Sequence, residues 1–183
     1  GHICFGPGGA GASVMFGGNW YGSGRRSKCI VIWGANPSQA ARRPWLTFLE
    51  SKEAGAKLIV IDPRRIVPAE RADIWLQIRP GTDCALTMAM INTIITEGLY
   101  DKEFVDKWCY GFDKLIERAK EYSPEKAAEI TWIPADRIRE AARMYATNKP
   151  GVIYHLMGME QLLTSIEALQ ARYILPAVTG NLD

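Results

Sequence analysis

The chain has 183 residues, a net charge of +2 and 48% apolar residues, a balance typical of a globular protein with one well-buried core. The small net charge and the scattered basic residues exclude a typical nucleic-acid-binding surface. The longest uncharged and mainly apolar stretch, residues 84–96, is too short to cross a bilayer and carries polar side chains, so we expect no direct membrane insertion.

The first 24 residues contain nine glycines and no clear periodicity, which predicts an extended connecting segment. Residues 6–11 match the GxGxxG pattern, but that pattern indicates a dinucleotide site only between a strand and a helix. Only five residues precede it here, and Pro7 lies inside it. We therefore expect a flexible or close-packed loop rather than a nicotinamide site. Both ends of the chain fall within loops, which indicates a segment of a longer protein.

From residue 25 onward, short apolar runs alternate with helical patterns. Strands are expected at 29–33, 57–61, 74–78 and 151–156. Helices are expected at about 37–54, 82–97, 101–109, 112–122, 124–131, 134–148 and 165–178. This alternation predicts an α/β fold with a doubly wound, mostly parallel, Rossmann-like sheet flanked by helices. We divide the chain into a glycine-rich active-site connecting segment, residues 1–24, and an α/β domain, residues 25–183.

The first of these helices has a recognisable beginning and end. Asn36 is a candidate N-cap, Pro37 suits the first helical position, and Gln39 could reach back toward the cap. Gly55 is the expected stop. For the helix at 82–97, the expected cap is Thr82.

Three loops follow three of the predicted strands, at residues 33–37, 62–65 and 79–83. In open parallel sheets, ligands bind outside the carboxyl ends of the strands, where these loops would lie. Unpaired amides at the start of the first helix can bind an anion. The loops also carry two aspartates and three arginines, which suits a large polar ligand that contains phosphate.

Two aspartates in these loops have specific candidate roles, each with a simpler alternative. Asp62 ends the second strand, where Rossmann-like folds place an acid for ribose hydroxyls, but it could equally be a surface charge. Asp83 could pair side by side with the N1–H and the exocyclic amine of guanine, or could simply be a favourable charge at a helix start. The loop at 33–37 could likewise be an ordinary capped turn.

The cysteines show no paired spacing, and the chain has only two histidines, so a self-contained zinc site is not expected. Cys29, Cys84 and Cys109 adjoin apolar runs, which predicts core or edge positions. Cys4 lies in the glycine-rich segment beside His2. It is therefore the one cysteine that spacing leaves open as a metal ligand.

Taken together and in order, several motifs resemble those of the molybdopterin oxidoreductases, the superfamily of dimethyl sulfoxide reductase and formate dehydrogenase. These motifs are CIVIWGANP, GAKLIVIDPRR, ADIWLQIRPGTD, INTIITEGLYDKEFV, LMGMEQ and LPAVTGNLD. The resemblance covers essentially the whole chain and implies the central cofactor-binding segment of a catalytic subunit. It implies bis(molybdopterin guanine dinucleotide) on molybdenum or tungsten, and a 4Fe–4S cluster in a part that precedes this segment.

The resemblance also implies a role for individual residues. The loop around the phosphates of one dinucleotide would comprise Trp33, Gly34, Ala35, Asn36, Pro37, Ser38, Gln39 and Ala40. The ribose-side loop would comprise Asp62, Pro63, Arg64, Arg65 and Ile66. The guanine-reading turn would comprise Gly81, Thr82 and Asp83. Met157 and Gln161 match positions near the pterin end, although composition alone places Met157 in the core. Cys4 matches the protein ligand of the metal, and a thiolate suits a metal already held by sulfur.

The implied activity is transfer of an oxygen atom or a hydride equivalent to or from a small-molecule substrate. Electrons would pass to an iron–sulfur partner subunit. Phe5 stands where formate dehydrogenases carry a histidine, which weighs against formate as the substrate. Two alternatives are a non-redox hydratase of the same family and an isolated guanine-nucleotide-binding domain without catalysis. We expect the isolated segment to be inactive, and the sequence assigns no compartment.

Overall fold

The computed structural model describes residues 6–18 and 24–182. At its centre is a sheet of four parallel strands in the order β3-β2-β1-β4. The strands are β1 (Cys29–Trp33), β2 (Lys57–Ile61), β3 (Ile74–Leu76) and β4 (Gly151–His155). The central strand β1 pairs in register with both neighbours, so that Cys29 lies opposite Lys57 on one side and Gly151 on the other. The predicted parallel α/β sheet is confirmed.

The strands are continuous apolar runs because both faces of the sheet are covered. All five residues of β1 are buried. Successive side chains point to opposite faces, so Ile30 and Ile32 enter one core while Val31 and Trp33 enter the other.

Helices surround this sheet. Those in the described part of the chain are α1 (Gly6–Phe16), α2 (Pro37–Ala40), α3 (Arg42–Glu53), α4 (Val67–Glu70), α5 (Asp83–Thr96), α6 (Lys102–Trp108), α7 (Phe112–Ala119), α8 (Pro124–Thr131), α9 (Ala135–Thr147), α10 (Met157–Glu160) and α11 (Ser165–Thr179). Helices α3 and α4 cover one face of the sheet, with Phe48 and Ile66 in its core. Helices α5, α9 and α11 cover the other face, with Leu86 and Leu169 in its core. The sheet is therefore doubly wound, as predicted. Over residues 6–18 and 24–182, every helix is too short or too polar to cross a membrane.

The helix predicted over residues 37–54 is two helices, because the chain leaves helical geometry at Ala41, where φ is −151°. Pro44 explains the break. In one continuous helix its ring would clash with the carbonyl of Ala40, whereas in the first turn of α3 a proline is tolerated. The second helix ends at Glu53 and is followed by Gly55 with φ +99°, so the predicted stop is confirmed. Strand β3 ends at Leu76, earlier than predicted.

The extended segment predicted over residues 1–24 is wrong between Gly6 and Phe16, which form α1. Four glycines and a proline make this a poor helix in isolation, since each glycine costs about 1 kcal/mol relative to alanine. Tertiary packing supplies the stability. The buried residues Gly8 and Gly11 lie on one face, and a Cβ on Gly11 would come within 3.1 Å of the Tyr173 ring on α11. The GxGxxG match is therefore a close-packed helix. The division of the chain at residue 24 stays a prediction.

Candidate functional site

The strand order places a topological switch point at β1. The chain runs from β1 to β2 and β3 in one direction, and β4 joins β1 on the opposite side. The loops that follow β1 and β4 therefore separate at the carboxyl edge of the sheet, which is where open α/β sheets bind ligands. A cleft of about 400 Å³ lies there, within the range of small-molecule sites, roughly 300–1,000 Å³.

Ten of the residues predicted to bind a cofactor line this cleft. They are Gly34, Ala35, Asn36, Ala40, Asp62, Pro63, Arg64, Gly81, Asp83 and Met157. The fold thus brings the three predicted loops to one cavity and adds the loop after β4. Its walls also include the apolar side chains of Ile61, Ile78, Leu156 and Leu162.

The other predicted residues lie around the cleft rather than on its walls. Trp33, Pro37 and Ile66 are buried behind it. Ser38 and Thr82 are half-buried, and Gln39, Arg65 and Gln161 are exposed. Cys4 lies outside the described residues.

The first loop is held against the start of α10 by direct backbone contact. Gly34 has φ +54°, in the left-handed region that favours glycine. Its carbonyl accepts a hydrogen bond of 3.0 Å from the Gly158 amide, and a Cβ on Gly158 would lie 2.6 Å from the same oxygen. Sequence reasoning missed Gly158. Its signal was a glycine between two methionines in LMGMEQ.

Asn36 does not act as the predicted side-chain N-cap. Its side chain instead contacts Ser38 Oγ at 2.6 Å and Gln39 Oε1 at 3.2 Å, while its backbone carbonyl begins the turn. Because α2 is a single turn, its dipole is much smaller than that of the predicted helix. Anion binding at this loop would rest on individual backbone amides.

Asp62 and Arg64 form the second wall of the cleft. The buried Asp62 carboxylate accepts the Arg64 amide at 2.8 Å, and the Arg64 Nε lies 3.8 Å away. Burial raises the pKa of Asp62, although the amide and the guanidinium oppose this shift. The Arg64 side chain is 75% exposed, so its guanidinium stays accessible to an anion at the cleft edge.

Asp83 is the most constrained polar side chain of the cleft. It is the first residue of α5, is only 5% exposed, and accepts a hydrogen bond of 2.8 Å from the Trp33 indole through Oδ1. Burial raises the pKa of its carboxyl group, against the opposing effect of the Trp33 hydrogen bond. Asp83 is therefore a helix-start residue, as the simpler interpretation predicted, and it also lines the cleft, while its pairing with guanine stays a prediction. Thr82 occupies the N-cap position of α5, as predicted, but its side chain makes no capping bond, because its hydroxyl donates to the Arg79 carbonyl at 2.7 Å.

The three described cysteines are structural, as predicted. Cys29 is buried, and Cys84 and Cys109 are half-buried. Burial raises the pKa of all three thiols, that of Cys29 to about 12, which keeps them protonated at neutral pH. Among residues 6–18 and 24–182, no cluster of three His, Cys, Asp or Glu side chains could hold a metal ion.

Comparison with known proteins agrees with the motifs. The molybdopterin oxidoreductase family matches residues 11–173. Acetylene hydratase of Syntrophotalea acetylenica is 44% identical over 98% of this chain and 25% of its own length. The F420-dependent formate dehydrogenase subunit alpha of Methanocaldococcus jannaschii is 42% identical over 84% of this chain and 23% of its own length. Dimethyl sulfoxide reductase DmsA of Haemophilus influenzae is 36% identical over 93% of this chain and 25% of its own length.

The structural comparison gives the same answer. The solved structure of acetylene hydratase from Pelobacter acetylenicus superposes with a TM-score of 0.91 at 41% identity, over 98% of this chain and 25% of that chain. The chain thus spans about a quarter of the length of these relatives. Motifs, family match and superposition coincide over nearly its whole length, and the chain belongs to the molybdopterin oxidoreductase family.

Proposed function

We propose that the switch-point cleft binds the guanosine end of a molybdopterin guanine dinucleotide, one half of a bis(molybdopterin guanine dinucleotide) cofactor on molybdenum or tungsten. Asp83 is the observation that carries this proposal. A carboxylate that is 5% exposed costs stability unless hydrogen-bond donors compensate for its lost hydration. Its position on the wall of an open cleft suits a ligand that supplies such donors.

The hydrogen bonding of Asp83 fits guanine. Oδ1 accepts the Trp33 indole N–H, which fixes the plane of the carboxylate. An ionised carboxylate offers about four lone-pair sites, so capacity remains for the N1–H and the exocyclic amine of guanine. Ile78 and Pro80 also line the cleft, and we propose that they give an apolar surface for the base.

The remaining walls suit a ribose phosphate. Asp62 Oδ1 accepts the Arg64 amide, and within the described residues this leaves Oδ2 for a ribose hydroxyl. The exposed Arg64 guanidinium and the amides of Ala35 and Asn36 are the proposed donors for phosphate oxygens, whereas the Gly34 amide donates to the Ile61 carbonyl at 2.9 Å. Trp33 and Ile66 would support these loops from behind rather than touch the ligand.

Met157, the first residue of α10, lines the cleft, and we assign it and Gln161 to the pterin side. Cys4 is the proposed protein ligand of the metal. When bound, the cofactor would supply a metal that changes oxidation state or activates water. This chain would supply the anchoring of the dinucleotide and the thiolate.

For the whole protein we propose oxygen-atom or hydride-equivalent transfer, with electrons passed to an iron–sulfur partner subunit and a 4Fe–4S cluster bound by a part preceding this segment. A second candidate, a non-redox hydratase, is favoured by the 44% identity with acetylene hydratase over nearly the whole chain. Reduction of a dye acceptor or oxidation of a dye donor in the purified protein would support the first candidate. Hydration of acetylene without dye turnover would support the second.

The cofactor proposal is tested by measuring Mo, W and released fluorescent pterin in the purified protein. We expect one of the two metals together with pterin, and absence of both metals and of pterin would overturn the proposal. Replacing Asp83 with alanine should lower the pterin content, whereas the matched variant Asp113→Ala, at an exposed aspartate on α7, should not. If the chain were a nucleotide-binding module alone, it would bind guanine over adenine nucleotides without metal, and Asp83→Ala would weaken that preference.

A further inference from the structure

Trp132, at the end of α8, combines two unfavourable features. Its side chain is 69% exposed, and its backbone has φ +64°, in the left-handed region that favours glycine. Its amide donates to the Ala128 carbonyl at 2.9 Å, so it stands where many helices end with a glycine in this conformation. A glycine would close the helix there without strain. A tryptophan in this place therefore indicates a role for the ring itself.

The ring of Trp132 contacts the side chain of Arg79. The guanidinium carbon of Arg79 lies 5.1 Å from the ring centroid, which is within the range of a cation–π contact. Both side chains are exposed. At an exposed site such a contact shifts an equilibrium by roughly 2- to 5-fold.

The backbone of Arg79 is held as well. Its amide donates to the Thr131 carbonyl at 2.9 Å, and its carbonyl accepts the Thr82 hydroxyl at 2.7 Å. The end of α8 thus holds Arg79 at two points, by the carbonyl of Thr131 and by the ring of Trp132. These contacts join parts of the chain that are distant in sequence.

Arg79 begins the turn that forms one wall of the cleft, and Pro80, Gly81 and Asp83 line that wall. At the far end of the turn, Asp83 is held by the hydrogen bond from the Trp33 indole. Gly81 has φ +83°, and a Cβ there would meet no described atom within 4 Å. Because packing does not restrain the middle of the turn, its conformation depends on its two anchored ends.

We propose that Trp132 is a positioning residue for nucleotide binding. By holding Arg79, its ring would fix the turn of residues 79–83 in the conformation that receives the guanine end of the dinucleotide. The proposal rests on the function proposed above for the cleft. It assigns Trp132 no contact with the nucleotide, because Trp132 lines an adjoining pocket that shares Pro80 with the cleft.

The variants are chosen to separate the ring from the helix end. Trp132→Gly removes the ring but fits the left-handed conformation, so it leaves the end of α8 intact. Trp132→Phe keeps an aromatic face for Arg79. Trp108→Ala is the matched control, because Trp108 is 68% exposed, has the Lys107 ammonium 5.2 Å from its ring centroid, and does not line the cleft.

Two rates are measured in the purified full-length protein: release of pterin in dilute urea, and amide hydrogen exchange at Arg79. We expect Trp132→Gly to raise both by roughly 2- to 5-fold, the effect of one exposed cation–π contact. Trp132→Phe should restore most of the difference, and Trp108→Ala should leave both rates unchanged. Arg79→Ala should release pterin as fast as Trp132→Gly, and the double variant should be no faster, since the two side chains act through one contact.

Wild-type rates in Trp132→Gly, or equal changes in Trp108→Ala, would overturn the positioning role. It would also be overturned by a double variant whose release rate multiplies the two single effects, because the side chains would then act independently. Failure of the proposed function is distinguishable, since it would show as absence of pterin in the wild type itself. Exchange at Arg79 in that protein would still decide whether the ring holds the turn.

Discussion

The contact between Gly34 and Gly158 makes the cleft sensitive to a single methyl group. In Gly158→Ala, the new Cβ would lie 2.6 Å from the Gly34 carbonyl oxygen and 2.7 Å from its Cα. Both neighbours are backbone atoms, so no side-chain rotation can relieve the overlap. Ordinary contact begins at 3.4 Å, which requires the two loops to separate by roughly 0.8 Å.

This separation sets the expected loss of stability. It would stretch the 3.0 Å hydrogen bond from the Gly158 amide beyond bonding distance, at a cost of about 1 kcal/mol. The overlap itself adds about 1–3 kcal/mol. The greater helix propensity of alanine offsets up to about 1 kcal/mol of this cost. We therefore expect the free energy of unfolding to fall by about 1–3 kcal/mol. The widened cleft should also retain less pterin.

Urea unfolding followed by tryptophan fluorescence measures the first effect, and pterin content measures the second. Gly18→Ala is the control, because no described atom lies within 4 Å of the position its Cβ would take. An unfolding midpoint and a pterin content equal to those of the wild type in Gly158→Ala would refute the reasoning.

Three further predictions concern single side chains. Because the folded-state pKa of Asp83 is raised, its carboxyl group stabilises the fold least above that pKa, where the buried group must ionise. The free energy of unfolding of Asp83→Asn should therefore exceed that of the wild type at pH 7, and the difference should shrink towards pH 4. A difference in urea unfolding that does not change with pH would contradict this prediction. The thiol of Cys29, with its pKa raised to about 12, should resist iodoacetamide at pH 8 in the native protein and react after unfolding, as read by mass spectrometry; rapid native labelling would show that it is accessible. Asp101→Ala removes the N-cap bond of 3.0 Å to the Phe104 amide and should cost about 1 kcal/mol in urea unfolding, whereas Asp113→Ala should cost less; equal losses would exclude a capping role.

The sheet and the position of its cleft were predictable from the sequence. The strands are buried on both faces, so their apolar runs are uninterrupted, and parallel strands necessarily bring their following loops to one edge. Asp62 and Asp83 were found because each directly follows such a strand or its turn. The break before α3 was also readable in principle, since Pro44 cannot continue the helix through Ala40.

The features that were missed depend on contacts between distant residues. The four glycines of α1 argue against a helix locally, and only packing against Tyr173 reverses that preference. The bond from Trp33 to Asp83 spans 50 positions, so nothing local shows that the indole supports the carboxylate. Gly158 was missed because the close approach that requires a glycine there comes from the backbone of Gly34, which is distant in the sequence.

The pairing of β1 with β4 has a consequence for the order of assembly. Strands β1, β2 and β3 can associate as soon as residue 76 is available, but Cys29 meets Gly151 only after five intervening helices have been connected. The bond between Gly8 and Glu160 spans 152 positions. Long-range closures of this kind are entropically costly and form late. A chain folded only as far as β3 would therefore lack one wall of the cleft. Binding of the proposed cofactor would then select chains that have completed folding and would stabilise them by mass action.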